Sequence, residues 1–219
     1  MMGIVHAAFR RDLARVRLAL TSAPAPQGSR RQAVADQVLW LMGMLHEHHQ
    51  TEDDGLWPLI RRHNPAAAPL LAAMEADHQA IVPAIGALAA AAQHYRSTQD
   101  DAPRPELVEA LDALTGVLLP HLDREVAEAM PVVAQTLTAR QWDAWSKESN
   151  VKPKSLRELG LEGHWLLDEI DPEGYQVVTR QVPAVPRFIL LHGFARFYRR
   201  RTDAWWSPGV SAGPIPASR

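Results

Sequence analysis

The sequence predicts an all-α protein: an up-down-up-down four-helix bundle with a C-terminal helical extension. Three observations predict it. Residues 1–137 carry apolar positions at alternating steps of three and four, the spacing that keeps one helix face turned inward. Strong loop signals divide that region at Pro24, Pro26 and Gly28, at Asn64 and Pro65, and across residues 97–105. The second half of the region also repeats the first at an offset of 72 to 73 residues.

The loop signals place four helices at about 4–22, 29–62, 67–96 and 105–137. The first carries the stripe His6, Phe9, Leu13, Val16, Leu20, and the third matches it step for step with His78, Ile81, Ile85, Leu88, Ala92. The second carries Val34, Val38, Leu41, Leu45, His48, Glu52; the fourth matches it with Leu107, Leu111, Leu114, Leu118, His121, Glu125. Pro58 and Pro131 stand at equivalent places beyond these histidines. A mean step of about 3.5 residues is that of packed antiparallel helices, so each stripe faces the bundle interior. Pro120, with Gly116 one turn before it, predicts a kink in the fourth helix beside His121.

Composition excludes several chemistries. The chain has 219 residues, 47% hydrophobic and 22% charged, the balance of a globular protein with a real core. With 23 Lys and Arg against 25 Asp and Glu the formal charge is −2, so no global field points to nucleic acid or a membrane. The absence of cysteine excludes disulfides, iron–sulfur clusters, thiolate zinc sites and cysteine nucleophiles. The arginine-bearing N-terminal stretch is followed by no apolar core of signal-peptide type, and the apolar run 81–92 is too short to span a bilayer. The expected location is the cytoplasm.

The polar members of the stripes carry the chemistry. His6 and His78 begin their stripes, whereas His48 with Glu52 and His121 with Glu125 end theirs. Antiparallel packing brings all six to one end of the bundle. Buried without partners, each would cost roughly 1–3 kcal/mol, and an isolated charge far more. A shared cation removes that cost, because His and Glu four residues apart lie on one helix face. Imidazole and carboxylate donors suit iron, manganese or zinc, and four imidazoles with two carboxylates suit two bridged ions better than one.

The order His6, His48-x3-Glu52, His78, His121-x3-Glu125 resembles the hemerythrin-like HHE cation-binding domain, and the run Glu47-His48-His49-Gln50-Thr51-Glu52-Asp53-Asp54-Gly55-Leu56-Trp57-Pro58-Leu59 looks much like its central motif. The resemblance covers about residues 4–137. It implies a left-handed bundle around two non-heme iron ions, with His6 and His48 on one iron, His78 and His121 on the other, and Glu52 and Glu125 bridging. Two departures from the oxygen carriers stand out. Met74 occupies the place of their fifth histidine, and the second acid is Glu125 where theirs is an aspartate one residue later, here Val126. A missing imidazole would leave an iron with an open or water-filled position, favouring redox turnover over reversible oxygen storage. Candidates for the missing ligand are His49 and Glu75. His49 lies about 100° round the helix from His48 and reads first as a flank residue; Glu75 lies on the face of His78. His46, His63 and His94 share no face and read as exposed.

Residues 138–206 are expected as a helical extension packed on the bundle through Trp142, Trp145, Leu156, Leu159 and Trp165, with helices near 139–147, 155–169 and 186–203. Its basic, aromatic stretch 185–201 reads as arginines over a packed stripe, with contact to an acidic partner or an anionic membrane as the less favoured reading. Residues 207–219, rich in Pro, Gly and Ser, read as a disordered tail.

Three functions remain open from sequence. The first is a diiron protein binding O2, peroxide or NO in a redox-response or detoxification role, with peroxide disproportionation as an attendant activity. The second is a diiron oxidase or oxygenase, with an apolar channel lined by Trp57, Met74 and C-terminal aromatics. The third is storage of iron or zinc without redox work.

Overall fold

The computed structural model describes residues 1–206 except Gln181 and Pro183, and no side chain of residues 184–186 is considered. The expected tail lies outside the described residues. The described chain is helical with no strand. Helices α1 (Met2–Thr21), α2 (Gly28–Thr51), α4 (Ala68–Ser97) and α5 (Arg104–Arg124) form the bundle. Around it α1 contacts α2, α2 contacts α4, α4 contacts α5, and α5 returns to α1. The stripes meet in one core, where Phe9, Val16, Leu41, Leu45, Leu88, Leu111 and Leu118 are all fully buried.

Beyond the polar end of this core the chain does not stop. α2 passes through a π-helical turn (Glu52–Leu56) into α3 (Trp57–His63), and α5 passes through another (Glu125–Ala129) into α6 (Met130–Thr136). Each turn closes on the residue just before a proline: the Trp57 N–H donates to the Glu52 carbonyl before Pro58, and the Met130 N–H to the Glu125 carbonyl before Pro131. Proline offers no N–H and its ring clashes with the carbonyl four residues back, so the wider turn accommodates it. The same device recurs at Lys147–Val151 before Pro153. Pro120 behaves otherwise: α5 runs unbroken through it, and the expected departure from α geometry falls at Glu125 instead. Leu56, Trp57, Ile60, Leu71, Met74 and Val133 form a second apolar cluster that closes the bundle end.

The extension comprises α7 (Ala139–Ser146), α8 (Leu156–Leu167), α9 (Pro172–Arg180), α10 (Ala184–Gly193) and α11 (Ala195–Trp205). Thr138 with Gln141 and Ser155 with Glu158 form capping boxes that start α7 and α8. Helix α9 was not anticipated; Asp171 accepts a hydrogen bond from the Gly174 N–H at 2.7 Å and Pro172 takes the first helical position, a start signal that was in the sequence. The single helix expected at 186–203 is two, because the chain breaks at Phe194, whose ring occupies the space a Cβ at Gly160 would need.

Helices α8 and α11 pack on α1 and α2. Trp165 is buried edge-on between Phe9 (4.9 Å between centroids) and Trp40 (5.5 Å). Its Nε1–H donates to Asp12 at 3.1 Å; Asp12 is buried and also accepts from Gln37 Nε2 and Arg11 Nε. Asp168 accepts from Arg15 at 2.6 Å and from the Tyr198 hydroxyl at 2.9 Å. Arg201 lies over the Trp40 ring and donates to Gln37, so this arginine of the basic stretch is a packing residue. Among the described residues no helix is long and apolar enough to cross a membrane.

Candidate metal centre

The polar ends of the stripes converge between the two apolar clusters. The N-terminal turns of α1 supply His6, the C-terminal turns of α2 supply His48 and His49, α4 supplies His78, and α5 supplies His121. Glu52 and Glu125 each open one of the π-helical turns. Two groups result, each with its ligating atoms within 4.8 Å of one another: His6, His48 and Glu125, and His49, His78 and His121.

Within each group two imidazoles point the same nitrogen at a common space. His6 Nε2 is 3.3 Å from His48 Nε2, and His78 Nε2 is 3.1 Å from His121 Nε2. Two nitrogens each bound at about 2.1 Å to one ion, at a right angle, stand about 3.0 Å apart. The carboxylates span the groups. Glu52 Oε1 lies 3.5 Å from His48 Nε2 and its Oε2 3.6 Å from His78 Nε2. Glu125 Oε2 lies 3.1 Å from His6 Nε2 and 4.0 Å from His121 Nε2.

Burial makes this arrangement costly as bare protein. Glu52 and Glu125 are 1% and 0% exposed. Neither oxygen of Glu52 and neither ring nitrogen of His49 has a hydrogen-bond partner, and each such buried group is worth roughly 1–3 kcal/mol of destabilisation. Burial, reinforced by His6, pushes His48 down to about 3. Burial, reinforced by His78, pushes His121 down to about 4 and drives His49 lower still. All three are therefore neutral imidazoles, the form that binds metal. Burial and then Glu125 and Asp53 raise Glu52 well above the usual carboxylate range. Burial also pushes Glu125 upward, but His6, His48 and His121 outweigh it and hold it below its ordinary value. Cations between the groups would engage the carboxylate oxygens and one nitrogen of each imidazole, so the donor set fits paired metal ions.

Two outcomes differ from the sequence reading. His49 is not on the helix flank: it is 4% exposed, stacks on His78 with 4.2 Å between centroids, and meets His121 edge-on. Glu75 is not in the group; its carboxylate pairs with Arg61, at 2.8 Å for Oε1 and 2.5 Å for Oε2, and is half-exposed. Met74 is buried in the closing cluster and holds no polar position. His46, His63 and His94 are exposed, as their spacing suggests.

Sequence reasoning missed the carboxylates behind the imidazoles. Asp53 accepts from His78 Nδ1 at 2.7 Å, leaving the Nε2 lone pair free to face the centre. Asp77 lies 3.5 Å from His121 Nδ1 and is held by Arg124 at 2.9 Å. The available signal was adjacency: Asp53 follows Glu52 and Asp77 precedes His78.

No curated protein and no solved structure matches the chain. The family model described as hemerythrin HHE cation binding domain matches residues 4–133, which takes in all seven of these histidine and glutamate positions. With that match spanning more than half the chain and the histidine and glutamate groups lying within it, the protein belongs to the hemerythrin HHE cation-binding domain family.

Proposed function

We propose that the chain holds two non-heme iron ions and through them binds O2, peroxide or NO in a redox-response or detoxification role. The observation that carries this is the pair of buried histidine groups spanned by Glu52 and Glu125, whose four carboxylate oxygens are buried without a hydrogen-bond partner. His6 and His48 hold one ion; His78 and His121, joined by His49, hold the other; the two glutamates serve both. When bound, an iron pair supplies electron exchange with a small oxidant, chemistry that imidazole and carboxylate ligation suits.

The chain's own part is to position and to exclude water. The cluster of Leu56, Trp57, Leu71 and Met74 seals the bundle end. Asp53 retains the proton on His78 Nδ1 and so fixes the tautomer. Manganese or zinc suits the same donors, and metal analysis of the purified protein decides among them. The expected result is close to two irons per chain, with a near-ultraviolet to visible charge-transfer band when the reduced protein meets air. One zinc and no iron overturns the reading, and two irons with no band leave storage in its place.

A second reading, a diiron oxidase or oxygenase, is favoured by one observation: a mostly apolar cavity of about 150 Å³ reaches His48 and Glu52. Its aromatic wall is Trp142, Trp145 and Trp165, whereas Trp57 and Met74, expected there from sequence, lie in the sealed cluster.

A further inference from the structure

We propose that this cavity is a binding site for a small, neutral aromatic molecule bearing a hydrogen-bond donor, a phenol in the simplest case, seated against His48 and Glu52. Its place beside a metal centre rests on the reading above; the binding itself does not.

The wall comes from two sources. Phe9 and Met44 belong to the bundle, while Trp142, Trp145 and Trp165 come from the extension. α7 can approach this closely because residue 55 is glycine: a Cβ there would stand 2.7 Å from the Trp145 indole nitrogen. Three indoles line a space of about 150 Å³, and an apolar cavity of roughly that volume accommodates a flat ring such as benzene.

The floor is the accessible edge of the metal centre. The side chain of His48 is 13% exposed, whereas those of His6, His78 and His121 are 4% or less. The edge of the centre that remains open is thus the one the cavity meets. The polar wall sets the charge. Lys154 is held between Glu47 at 3.0 Å and Glu162 at 2.7 Å, so two carboxylates face one ammonium, with Glu52 below. The two carboxylates exceed the one ammonium in formal charge, which disfavours an anion and leaves carboxylate oxygens to accept from an O–H or N–H donor.

The test is calorimetric titration of the full chain, both stripped of metal by chelation and loaded, with phenol, toluene and benzoate. Phenol is expected to bind both forms, and toluene and benzoate about tenfold more weakly or worse. Met44→Trp and Val5→Phe, at two residues that line the cavity, are expected to weaken phenol about tenfold while leaving metal content and melting temperature unchanged. Absence of phenol binding in both forms, or full binding in both variants, overturns the site. Equal or tighter binding of toluene or benzoate overturns the ligand class. Phenol binding by a chain that retains no iron would leave the cavity standing and remove the metal reading, and two irons without phenol binding would do the reverse.

Discussion

His49 lies parallel to His78, with 4.2 Å between ring centroids and 8° between ring planes, and both nitrogens of His49 are buried without a partner. A stacked ring needs no nitrogens to pack, so the stack and the unpartnered atoms make separable demands. His49→Phe keeps the ring and deletes the donor. Its metal-free form should melt at or slightly above the wild-type temperature, while iron content drops by about one ion per chain. Retention of full iron with His49→Phe would make His49 a packing residue only.

Asp53 acts through His78. Asp53→Asn replaces the charged acceptor that orients the ring by a neutral amide, and loss of such a carboxylate partner lowers metal affinity about 10- to 100-fold. A chelator-competition titration reads this directly, with helicity by circular dichroism unchanged. An undiminished affinity would show the contact to be incidental.

Glu52 and Glu125 lie close together in a space nearly closed to water, and the upward shift of Glu52 makes it the protonated partner in the metal-free chain. Glu52→Gln replaces a neutral acid by a neutral amide. The metal-free variant should match wild type in denaturant unfolding to within about 1 kcal/mol, whereas the loaded protein should lose metal and the stability that metal confers. A large loss in the metal-free form would mean that Glu52 is ionised there.

Acid should loosen the extension. Burial pushes Asp168 upward, but Arg15, Arg11 and the Tyr198 hydroxyl outweigh it, so its carboxyl sits below the usual value. A group with a depressed folded pKa adds stability that is present above its unfolded value of about 3.9 and is lost as pH falls through the folded value. Unfolding at pH 6 and pH 3 should therefore show an acid loss that is smaller in Asp168→Asn, which is already weakened at pH 6. An identical acid loss in both proteins would place the sensitive group elsewhere.

Much of the bundle could be read from the chain because its information is periodic. The stripe Val34 to Glu52 and its copy Leu107 to Glu125 state which face of each helix turns inward, and antiparallel pairing then sends His6, His48, His78 and His121 to one end. Periodicity says less about a residue at the edge of a stripe. A core-facing stripe is about 100° wide, so His48 and His49 both fit within it, and the rotation of α2 decides which is deeper. That rotation makes His49 the more buried of the two. The prolines were visible too, but the π-helical turns they accompany at Glu52 and Glu125 depend on how each helix relieves the missing hydrogen bond, and Pro120 relieved it without one.

The amino-acid order alone determined the bundle helices, their duplication and the inward imidazoles and carboxylates, because hydrophobic spacing within one helix is a local property. Only the tertiary structure decided that Asp53 and Asp77 stand behind the imidazoles, that Glu75 turns to Arg61, and that Trp142, Trp145 and Trp165 from the extension roof a cavity over His48. Those relations join segments far apart in the chain, and their geometry is set by helix rotation and close packing, which no local pattern encodes.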